Sequence, residues 1–158
     1  MTEQKASISE KSKEHPFTDM ALARMKEAGL RITMPRVQVI RAIAGSHKAQ
    51  TVQHIYERIV TDGGRTDLVS VYRTLQTLIQ LHLVHHIGSV DGFHPCNHET
   101  AHEDISEHLI CRSCGNVEEI CSHRHGQNLD ELGPLGDFVP ESYRIEVLGT
   151  CGACRQLP

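Results

Sequence analysis

Two Cys-x2-Cys pairs constrain this 158-residue chain more than any other feature of its sequence. The first pair is Cys111 and Cys114, and the second is Cys151 and Cys154. Zinc takes four soft or borderline ligands in a tetrahedron, and two such turns supply four thiolates. The 36 residues between the pairs exceed the usual gap of a zinc ribbon, so we expect them to contain secondary structure. The pattern predicts a structural zinc site, with disulfides or reduced, buried cysteines as the alternative.

The composition argues against a membrane protein and divides the chain into two unlike parts. There is no apolar run long enough to span a bilayer, and the polar N-terminus lacks the apolar stretch of a signal peptide. We therefore expect a cytoplasmic protein, in which paired cysteines hold metal more often than they form disulfides. Residues 1–95 carry 12 Lys and Arg against 9 Asp and Glu, whereas residues 96–158 carry 4 against 11. A basic first part and an acidic second part rich in Cys and His predict different tasks for the two.

Short helices and one hairpin are predicted in the first part of the chain. Residues 1–17 are polar and are expected to be a disordered arm. Capping residues and glycine stops then predict four helices and two strands. The predicted helices are residues 19–28 after the cap Thr18, 33–45 starting at Thr33, 51–62 starting at Thr51, and 70–82, and the strands are 83–87 and 92–95. This order is typical of a winged helix-turn-helix.

The fourth predicted helix has one apolar face and one polar face. Its apolar positions recur at i, i+4 and i+7 and predict a buried stripe of Val71, Leu75 and Leu78. The opposite face carries Tyr72, Arg73, Gln76 and Gln80. Arg and Gln can pair with guanine and adenine edges, and Tyr offers a hydroxyl for phosphate and a ring for a thymine methyl. An ordinary solvated face is the alternative, but the basic first part and the hairpin favour DNA.

Four motifs of this sequence occur in the same order in a known family. They are Thr33-Met34-Pro35-Arg36, Ser70-Val71-Tyr72-Arg73-Thr74-Leu75, His108-Leu109-Ile110-Cys111-Arg112-Ser113-Cys114-Gly115 and Gly149-Thr150-Cys151-Gly152-Ala153-Cys154. Through these motifs the chain resembles the ferric uptake regulator family of metal-dependent bacterial repressors, over about residues 18–154. The resemblance implies an α+β fold, in which residues 18–95 form a winged helix-turn-helix DNA-binding domain. Residues 96–158 would then be a small α/β dimerisation domain that holds the four-cysteine zinc site.

The resemblance also implies a homodimer that binds a double-stranded DNA operator. Tyr72 and Arg73 are implied operator contacts through their positions in the second motif. Gln76 lies on the same predicted face, and Arg36 closes the first motif, so both join the predicted DNA contacts. Neither a membrane nor a small-molecule substrate is expected as a partner.

A concentration of histidines predicts a second metal site. Nine of the 12 histidines lie between His82 and His125, around Cys96 and several carboxylates. Isolated surface histidines would not explain such a cluster with an extra cysteine. The family's iron-sensing branch has a carboxylate where this chain has Cys96. In having a cysteine at this position, the chain resembles the zinc uptake regulator branch. Thiolate ligands favour zinc over harder divalent ions.

Matching positions with that branch nominates the other ligands of a regulatory site. They are His85, eleven residues before Cys96, and Glu119, eight residues after the first knuckle cysteine. His102 is displaced by two residues from the branch's usual histidine, and it competes with His108, which precedes the Leu-Ile-Cys strand. Both histidines are kept as candidates. The predicted cofactor is therefore zinc, in one structural site and at least one regulatory site per chain.

Zinc held by ligands from both domains would lock a dimer in its operator-binding form, which predicts a zinc-responsive repressor of zinc uptake genes. An iron- or manganese-responsive repressor of the same family is the alternative. A small zinc-dependent hydrolase is a third possibility, but no His-Glu-x-x-His element stands beside the paired cysteines in the arrangement that catalysis uses, and Ser106 stands where His102-Glu103 would require a histidine. We therefore expect that the protein is not an enzyme.

Overall fold

The computed structural model describes residues 15–96, 105–120 and 143–156. Helices dominate the first part, and two small sheets follow, so the predicted α+β class is confirmed. The elements are α1 Pro16–Glu27, α2 Met34–Ile43, α3 Val52–Thr61, α4 Leu68–Gln80, β1 Val84–Ile87, β2 Gly92–Pro95, β3 Ile105–Cys111, β4 Val117–Ile120, β5 Tyr143–Gly149 and the one-turn helix α5 Gly152–Arg155. Within these ranges, no helix has the length and apolar character needed to cross a bilayer.

One apolar core joins the first four helices to the hairpin of β1 and β2. The stripe predicted on α4 is fully buried, since Val71, Leu75 and Leu78 each have 0% exposure. Other members of this core are Met25, Ile40, Ile43, Ile55 and Leu83. Full burial of such a side chain stabilises a fold by about 1.5–3 kcal/mol. The exposed face of α4 is therefore held in a fixed orientation by its buried face.

Helix α1 begins earlier than predicted, and the predicted boundary of the disordered arm at residue 17 is wrong. The structure places Pro16 in the first turn, and Nδ1 of His15 accepts a hydrogen bond from the N–H of Phe17 at 3.3 Å. Proline suits this position because its missing N–H would be unsatisfied there in any case. Phe17 and Thr18 are buried, with 6% and 1% exposure. Thr18 is therefore a residue within the helix with a buried side chain, and it is not the N-cap.

The caps of the other helices follow the sequence more closely. Thr51 caps α3 as predicted, with Oγ1 accepting from the N–H of His54 at 3.2 Å. Thr33 precedes α2 as predicted but makes no side-chain capping hydrogen bond. Helix α4 starts two residues before its predicted start, because Asp67 accepts from the N–H of Ser70 at 2.9 Å. Aspartate is among the most favourable N-cap residues.

Two sheets carry the remaining elements. Strands β1 and β2 form the predicted antiparallel hairpin, in which His85 pairs with His94, and a 3-10 turn over Gly88–Val90 connects them. The second sheet has the order β4-β3-β5. Strand β4 pairs antiparallel to β3, and β5 pairs parallel to it, so that Cys111 lies beside Gly149. This pairing brings the two Cys-x2-Cys segments to the same end of the sheet.

A short segment between α2 and α3 connects the hairpin to the second sheet. Gln50 and Phe93 exchange two backbone hydrogen bonds, of 2.9 and 2.8 Å. Three residues earlier, the carbonyl of His47 accepts from the N–H of Val117 at 2.7 Å. A small apolar cluster covers this junction, formed by Ala49, Ile87, Ile110 and Val117. Long-range backbone pairing and apolar contact thus fix how the hairpin lies against the sheet.

Candidate metal centres and nucleic-acid interface

The four knuckle cysteines converge beyond the ends of β3 and β5. Cys111 ends β3 and Cys114 lies in the turn after it, where Gly115 has a φ of 74° and its N–H donates to the Cys111 carbonyl at 2.8 Å. Cys151 and Cys154 lie at the start and inside of α5. The four sulfur atoms all lie within 4.8 Å of one another, and those of Cys114 and Cys151 are 3.7 Å apart. Sulfurs around a tetrahedral zinc are roughly 3.8 Å apart, because Zn–S bonds are about 2.3 Å long.

Hydrogen bonds within this cluster stabilise a thiolate at Cys111. The N–H groups of Cys151 and Cys114 hydrogen-bond to the Cys111 sulfur and lower the pKa of its thiol to about 6. Side-chain hydrogen bonds with Cys151 and Cys114 raise the pKa of Cys154 to about 12, because the thiols share one another's protons. None of these four cysteines forms a disulfide. The donor set and its spacing fit a four-thiolate zinc site, and the disulfide alternative has no support.

A second cluster lies between the hairpin and the second sheet. Donor atoms of His85 on β1, His108 on β3 and Glu119 on β4 all lie within 4.8 Å of one another. Nε2 of His85 is 2.9 Å from Oε1 of Glu119, and the rings of His85 and His108 are 4.8 Å apart. The Cys96 thiol donates to the same Glu119 oxygen at 3.7 Å. The structure therefore brings four of the predicted regulatory residues together, while His102 lies outside the described residues.

The strands explain why these side chains meet. His108 and Glu119 are direct cross-strand partners on β3 and β4, so their side chains share one face of the sheet. The N–H of Cys96 donates to the carbonyl of Leu83 at 2.9 Å, which extends the hairpin ladder by one residue. Cys96 is thus fixed at the point where the chain leaves the hairpin, beside the strand that carries His85.

The charges of this second cluster suit a divalent cation. Burial opposes the protonated form of His85, but hydrogen bonds with Cys96 and Glu119 outweigh it and raise the pKa of His85 to about 9. Burial lowers the pKa of His108 to about 4, so its ring is neutral near pH 7. Its Nε2 atom is buried and has no hydrogen-bond partner among the described residues. An unpartnered imidazole nitrogen beside a carboxylate, a thiol and a second imidazole matches the N, O and S ligands of zinc.

His94 is a candidate ligand that the sequence reasoning missed. It lies on β2 directly opposite His85, has 1% exposure, and its ring is 6.4 Å from that of His108. Burial lowers its pKa to about 4, and neither ring nitrogen has a hydrogen-bond partner in the described part of the chain. The signal was present, because the predicted strands 83–87 and 92–95 already imply that residues 85 and 94 are cross-strand partners.

The predicted DNA-facing side of α4 is accessible. Tyr72 is 51% exposed, Arg73 is exposed and Gln76 is half-buried. The structure adds two apolar residues in the first turn, Leu68 and Val69, with 43% and 57% exposure. The sequence reasoning missed them because it started this helix at Ser70. Exposed apolar side chains beside a tyrosine can contact thymine methyl groups.

Arg36 has a local structural contact. Its Nη1 atom donates to the carbonyl of Arg31 at 2.7 Å, and the side chain is half-buried. This hydrogen bond connects the start of α2 to the loop before it. The DNA contact predicted for Arg36 stays a prediction, and we expect it to be weaker than that of Arg73, whose side chain is exposed.

The fold and the two donor clusters define a class of protein, a winged helix-turn-helix followed by a small metal-binding sheet. The chain belongs to the ferric uptake regulator family, whose model matches residues 27–147. The zinc uptake regulation protein of Mycobacterium tuberculosis is 30% identical over 135 residues, which are 83% of this chain and 99% of the relative. Members of the family are transcription regulators, so the expectation that the protein is not an enzyme is confirmed.

Solved structures share the same fold. A zinc uptake regulator complexed with zinc and DNA has a TM-score of 0.82 at 23% identity, over 92% of this chain and 97% of that one. The holo form of a protein called XcZur has a TM-score of 0.76 at 26% identity, over 89% of this chain and 99% of that one. The apo form of XcZur has a TM-score of only 0.50 at 27% identity, over 88% and 95%. The arrangement of this chain is therefore closer to the holo form than to the apo form of that protein.

Proposed function

We propose that the protein is a zinc-responsive repressor that binds operator DNA as a cytoplasmic homodimer and controls zinc uptake genes. Family membership supports a transcription regulator, and the relative from M. tuberculosis is a zinc uptake regulation protein. The four-cysteine cluster is the structural zinc site of this proposal. Residues 18–95 would bind DNA, and residues 96–158 would dimerise and carry the metal.

The convergence of His85, Cys96, His108 and Glu119 carries the proposal. His85 belongs to the hairpin of the DNA-binding part, whereas His108 and Glu119 belong to the second sheet. Cys96 lies on the connection between them. A zinc ion held by this set would bind the closed arrangement far better than an open one, since opening separates its ligands. Such a difference in affinity is what a ligand needs to shift a conformational equilibrium.

The ligand chemistry favours zinc over iron and manganese. Carboxylate and water ligands suit manganese, and imidazole alone suits several transition metals, but a thiolate selects softer ions. Cys96 adds that thiolate, and its sulfur lies within 3.7 Å of the Glu119 carboxylate. When bound, zinc would supply a fixed dication that neutralises this carboxylate and thiolate. His94 and His102 are alternatives to His108 for the fourth ligand position.

The closed arrangement would orient the DNA-facing helices of a dimer. Helix α4 presents Tyr72, Arg73 and Gln76, and its orientation depends on the core that it shares with the hairpin. Dimeric DNA-binding proteins of this kind contact two half-sites about one helical turn of DNA apart. The distance between the α4 helices of the two subunits therefore decides whether the dimer fits the operator. The greater likeness to the holo form of XcZur than to its apo form supports the view that this closed arrangement is the metal-bound one.

An exposed apolar face of the second sheet supports dimerisation. Leu109 and Val147 are neighbours on β3 and β5, with 37% and 50% exposure. Apolar side chains on a sheet face lose contact with water when a second copy covers them. Dimerisation would therefore place the two four-cysteine sites close to the interface.

Titration of DNA binding with metal tests the proposal. Operator duplexes can be selected by zinc-saturated protein from a random pool, and binding followed by fluorescence anisotropy at fixed salt. We expect zinc to raise the affinity at lower free concentrations than Mn²⁺ or Fe²⁺, and metal counting to give two zinc ions per chain at saturation. DNA binding that ignores zinc while the four-cysteine site is filled would overturn the zinc-responsive role. A response to Mn²⁺ or Fe²⁺ alone would favour the alternative within the family.

A further inference from the structure

A carboxylate of the second sheet holds the turn of the hairpin. Oε1 of Glu146 on β5 accepts a hydrogen bond from the N–H of Gly88 at 2.7 Å, and Oε2 accepts from the N–H of Ser89 at 2.8 Å. These partners are 58 and 57 residues apart in sequence. The turn belongs to the DNA-binding part and Glu146 to the part predicted to dimerise. The contact therefore crosses the same junction as the second metal-ligand cluster, of His85, Cys96, His108 and Glu119, which we call the hinge cluster.

The bonding geometry at this contact favours the ionised form of Glu146. Burial raises the pKa of its carboxyl, but the Ser89 side chain and the two backbone N–H groups outweigh that effect and lower it. Two short hydrogen bonds to one carboxylate are charge-assisted, and such bonds are stronger than neutral ones. The two N–H groups open a 3-10 turn and have no partner inside it, so the carboxylate satisfies donors that would otherwise face water.

The hairpin is thus attached to the sheet at three places along its length. Near its open end, His85 and Cys96 meet Glu119. At the end of β1, Ile87 packs in the small apolar cluster of the junction. At the turn, Glu146 binds the backbone, and it donates no atom to either metal-ligand cluster. An attachment at the open end alone would leave the turn free to pivot about the metal.

We propose that Glu146 is a positioning residue that fixes the hairpin turn to the second sheet and raises the share of the closed arrangement on which zinc acts. The proposal rests on the proposed function, since it assumes that the closed form binds zinc and operator. A ligand whose binding-competent form is only partly populated binds with an apparent affinity reduced by that fraction. Glu146 therefore sets how much free zinc is needed for repression, without touching zinc or DNA.

The test compares Glu146→Gln with Glu27→Gln, which removes an exposed carboxylate at the end of α1. Glutamine keeps the size of the side chain but removes its charge, and one end of its amide can no longer accept a hydrogen bond. We expect Glu146→Gln to raise the zinc midpoint for operator binding by roughly tenfold, as a loss of closed population predicts. Zinc at the four-cysteine site, the dimer and the operator affinity at saturating zinc should be unchanged. Glu27→Gln should match the wild type in every measurement.

A second readout does not depend on DNA or on hinge zinc. Amide hydrogen exchange of Gly88 and Ser89, measured by NMR in the dimer that carries only the four-cysteine zinc, should become faster in Glu146→Gln. The amide of Phe93, which donates to the carbonyl of Gln50, should keep its rate. Glu146→Asp keeps the charge but shortens the reach, so it should fall between the wild type and Glu146→Gln in both readouts.

Different results overturn the two proposals. If the two amides exchange faster but the zinc midpoint stays the same, Glu146 is only a structural contact. Unchanged exchange of both amides in Glu146→Gln would show that Glu146 does not form these hydrogen bonds in solution. A wild type that ignores zinc would overturn the proposed function and, with it, the regulatory role of Glu146. The exchange experiment would still report the contact in that case, so the two failures can be told apart.

Discussion

The four-cysteine cluster and the hinge cluster differ in where their ligands come from. All four cysteines lie in the second part of the chain, and the parallel pairing of β3 with β5 brings Cys111 and Cys151 together. The hinge cluster takes His85 from the hairpin and Glu119 from the second sheet. A metal in the first cluster would stabilise the second part of the chain alone. A metal in the second would stabilise the arrangement of the hairpin against the second sheet. Under the proposed function, ligand origin therefore separates a structural site from a sensing site in one small protein.

Substitution in the four-cysteine cluster should have the largest effect. Cys111→Ser or Cys154→Ser should release the tightly held zinc and abolish the dimer, because the binding energy of a structural zinc, about 10–16 kcal/mol in small zinc domains, is also folding energy. Zinc counting and analytical ultracentrifugation would check this. A mutant that stays folded and dimeric without that zinc would remove the structural role and, with it, the contrast between the two clusters.

Substitution of Cys96 should affect sensing and leave the other cluster intact. Cys96→Ser should raise the zinc midpoint for operator binding by roughly a hundredfold or more, since even residues that only orient a ligand contribute about 10–100-fold. The four-cysteine zinc and the dimer should be unchanged. His85→Ala and Glu119→Ala should behave in the same way in anisotropy titrations. An unchanged midpoint in Cys96→Ser would identify a packed thiol and favour an iron or manganese sensor.

The remaining ligand of the hinge cluster can be assigned by parallel alanine variants. Of His94→Ala, His102→Ala and His108→Ala, the variant that removes the true ligand should raise the zinc midpoint for operator binding as Cys96→Ser does. We expect this of His108 first, because its donor atom already lies with those of His85 and Glu119. His94→Ala should have a smaller effect if this residue only packs behind the set. A midpoint that none of the three changes would mean that the cluster does not sense zinc.

Removal of a DNA contact should act on neither metal cluster. Arg73→Ala should reduce specific operator affinity by about 1–3 kcal/mol if the guanidinium pairs with a base edge. If it neutralises phosphate, the slope of affinity against salt should fall by about 1. Arg155→Ala, which removes an exposed arginine from α5, is the matched control. Wild-type operator binding by Arg73→Ala at every salt concentration would remove this face of α4 from the interface.

The pH dependence of zinc binding gives the smallest and most specific contrast. His85 has a pKa of about 9 without metal, so zinc must displace its proton at pH 7.5. The contribution of His85 to the hinge affinity should therefore rise up to about tenfold per pH unit between roughly pH 7 and 9 and level off above. His94 and His108 are neutral throughout this window, because burial lowers the pKa of each to about 4. Calorimetry of Cys96→Ser, which has no thiol proton to release at this cluster, in buffers of different ionisation enthalpy would detect the proton of His85, and its absence would contradict His85 as a ligand.

Local pattern determined much of the fold. The stripe of Val71, Leu75 and Leu78 predicted the buried face of α4, because helical periodicity alone decides which side chains share a face. The paired cysteines predicted their own cluster, since x2 spacing forms a turn that presents both sulfurs. The predicted starts of α1 and α4 were wrong by two or three residues. Capping is a competition among neighbouring residues, and here His15 with Pro16 and Asp67 prevailed over Thr18 and Ser70.

The hinge cluster was only partly accessible from sequence. Resemblance to the family nominated His85, Cys96, Glu119 and His108, and the structure brings their donor atoms together. Resemblance did not nominate His94, because its candidacy depends on which side chains the fold buries without hydrogen-bond partners. His102 lies in a part of the chain that the structure does not describe. Its competition with His108 therefore stays a prediction.

By itself, the sequence determined the helices, the hairpin, the cysteine knuckles and the family, because each of these depends on residues close together in the chain. Only the tertiary structure decided how the two parts meet. The pairing of Gln50 with Phe93, the cluster around Ile110 and the hold of Glu146 on Gly88 join residues more than forty positions apart or from different sheets. No local periodicity encodes such contacts, because they form only when separate elements pack and their backbone groups find partners across the junction.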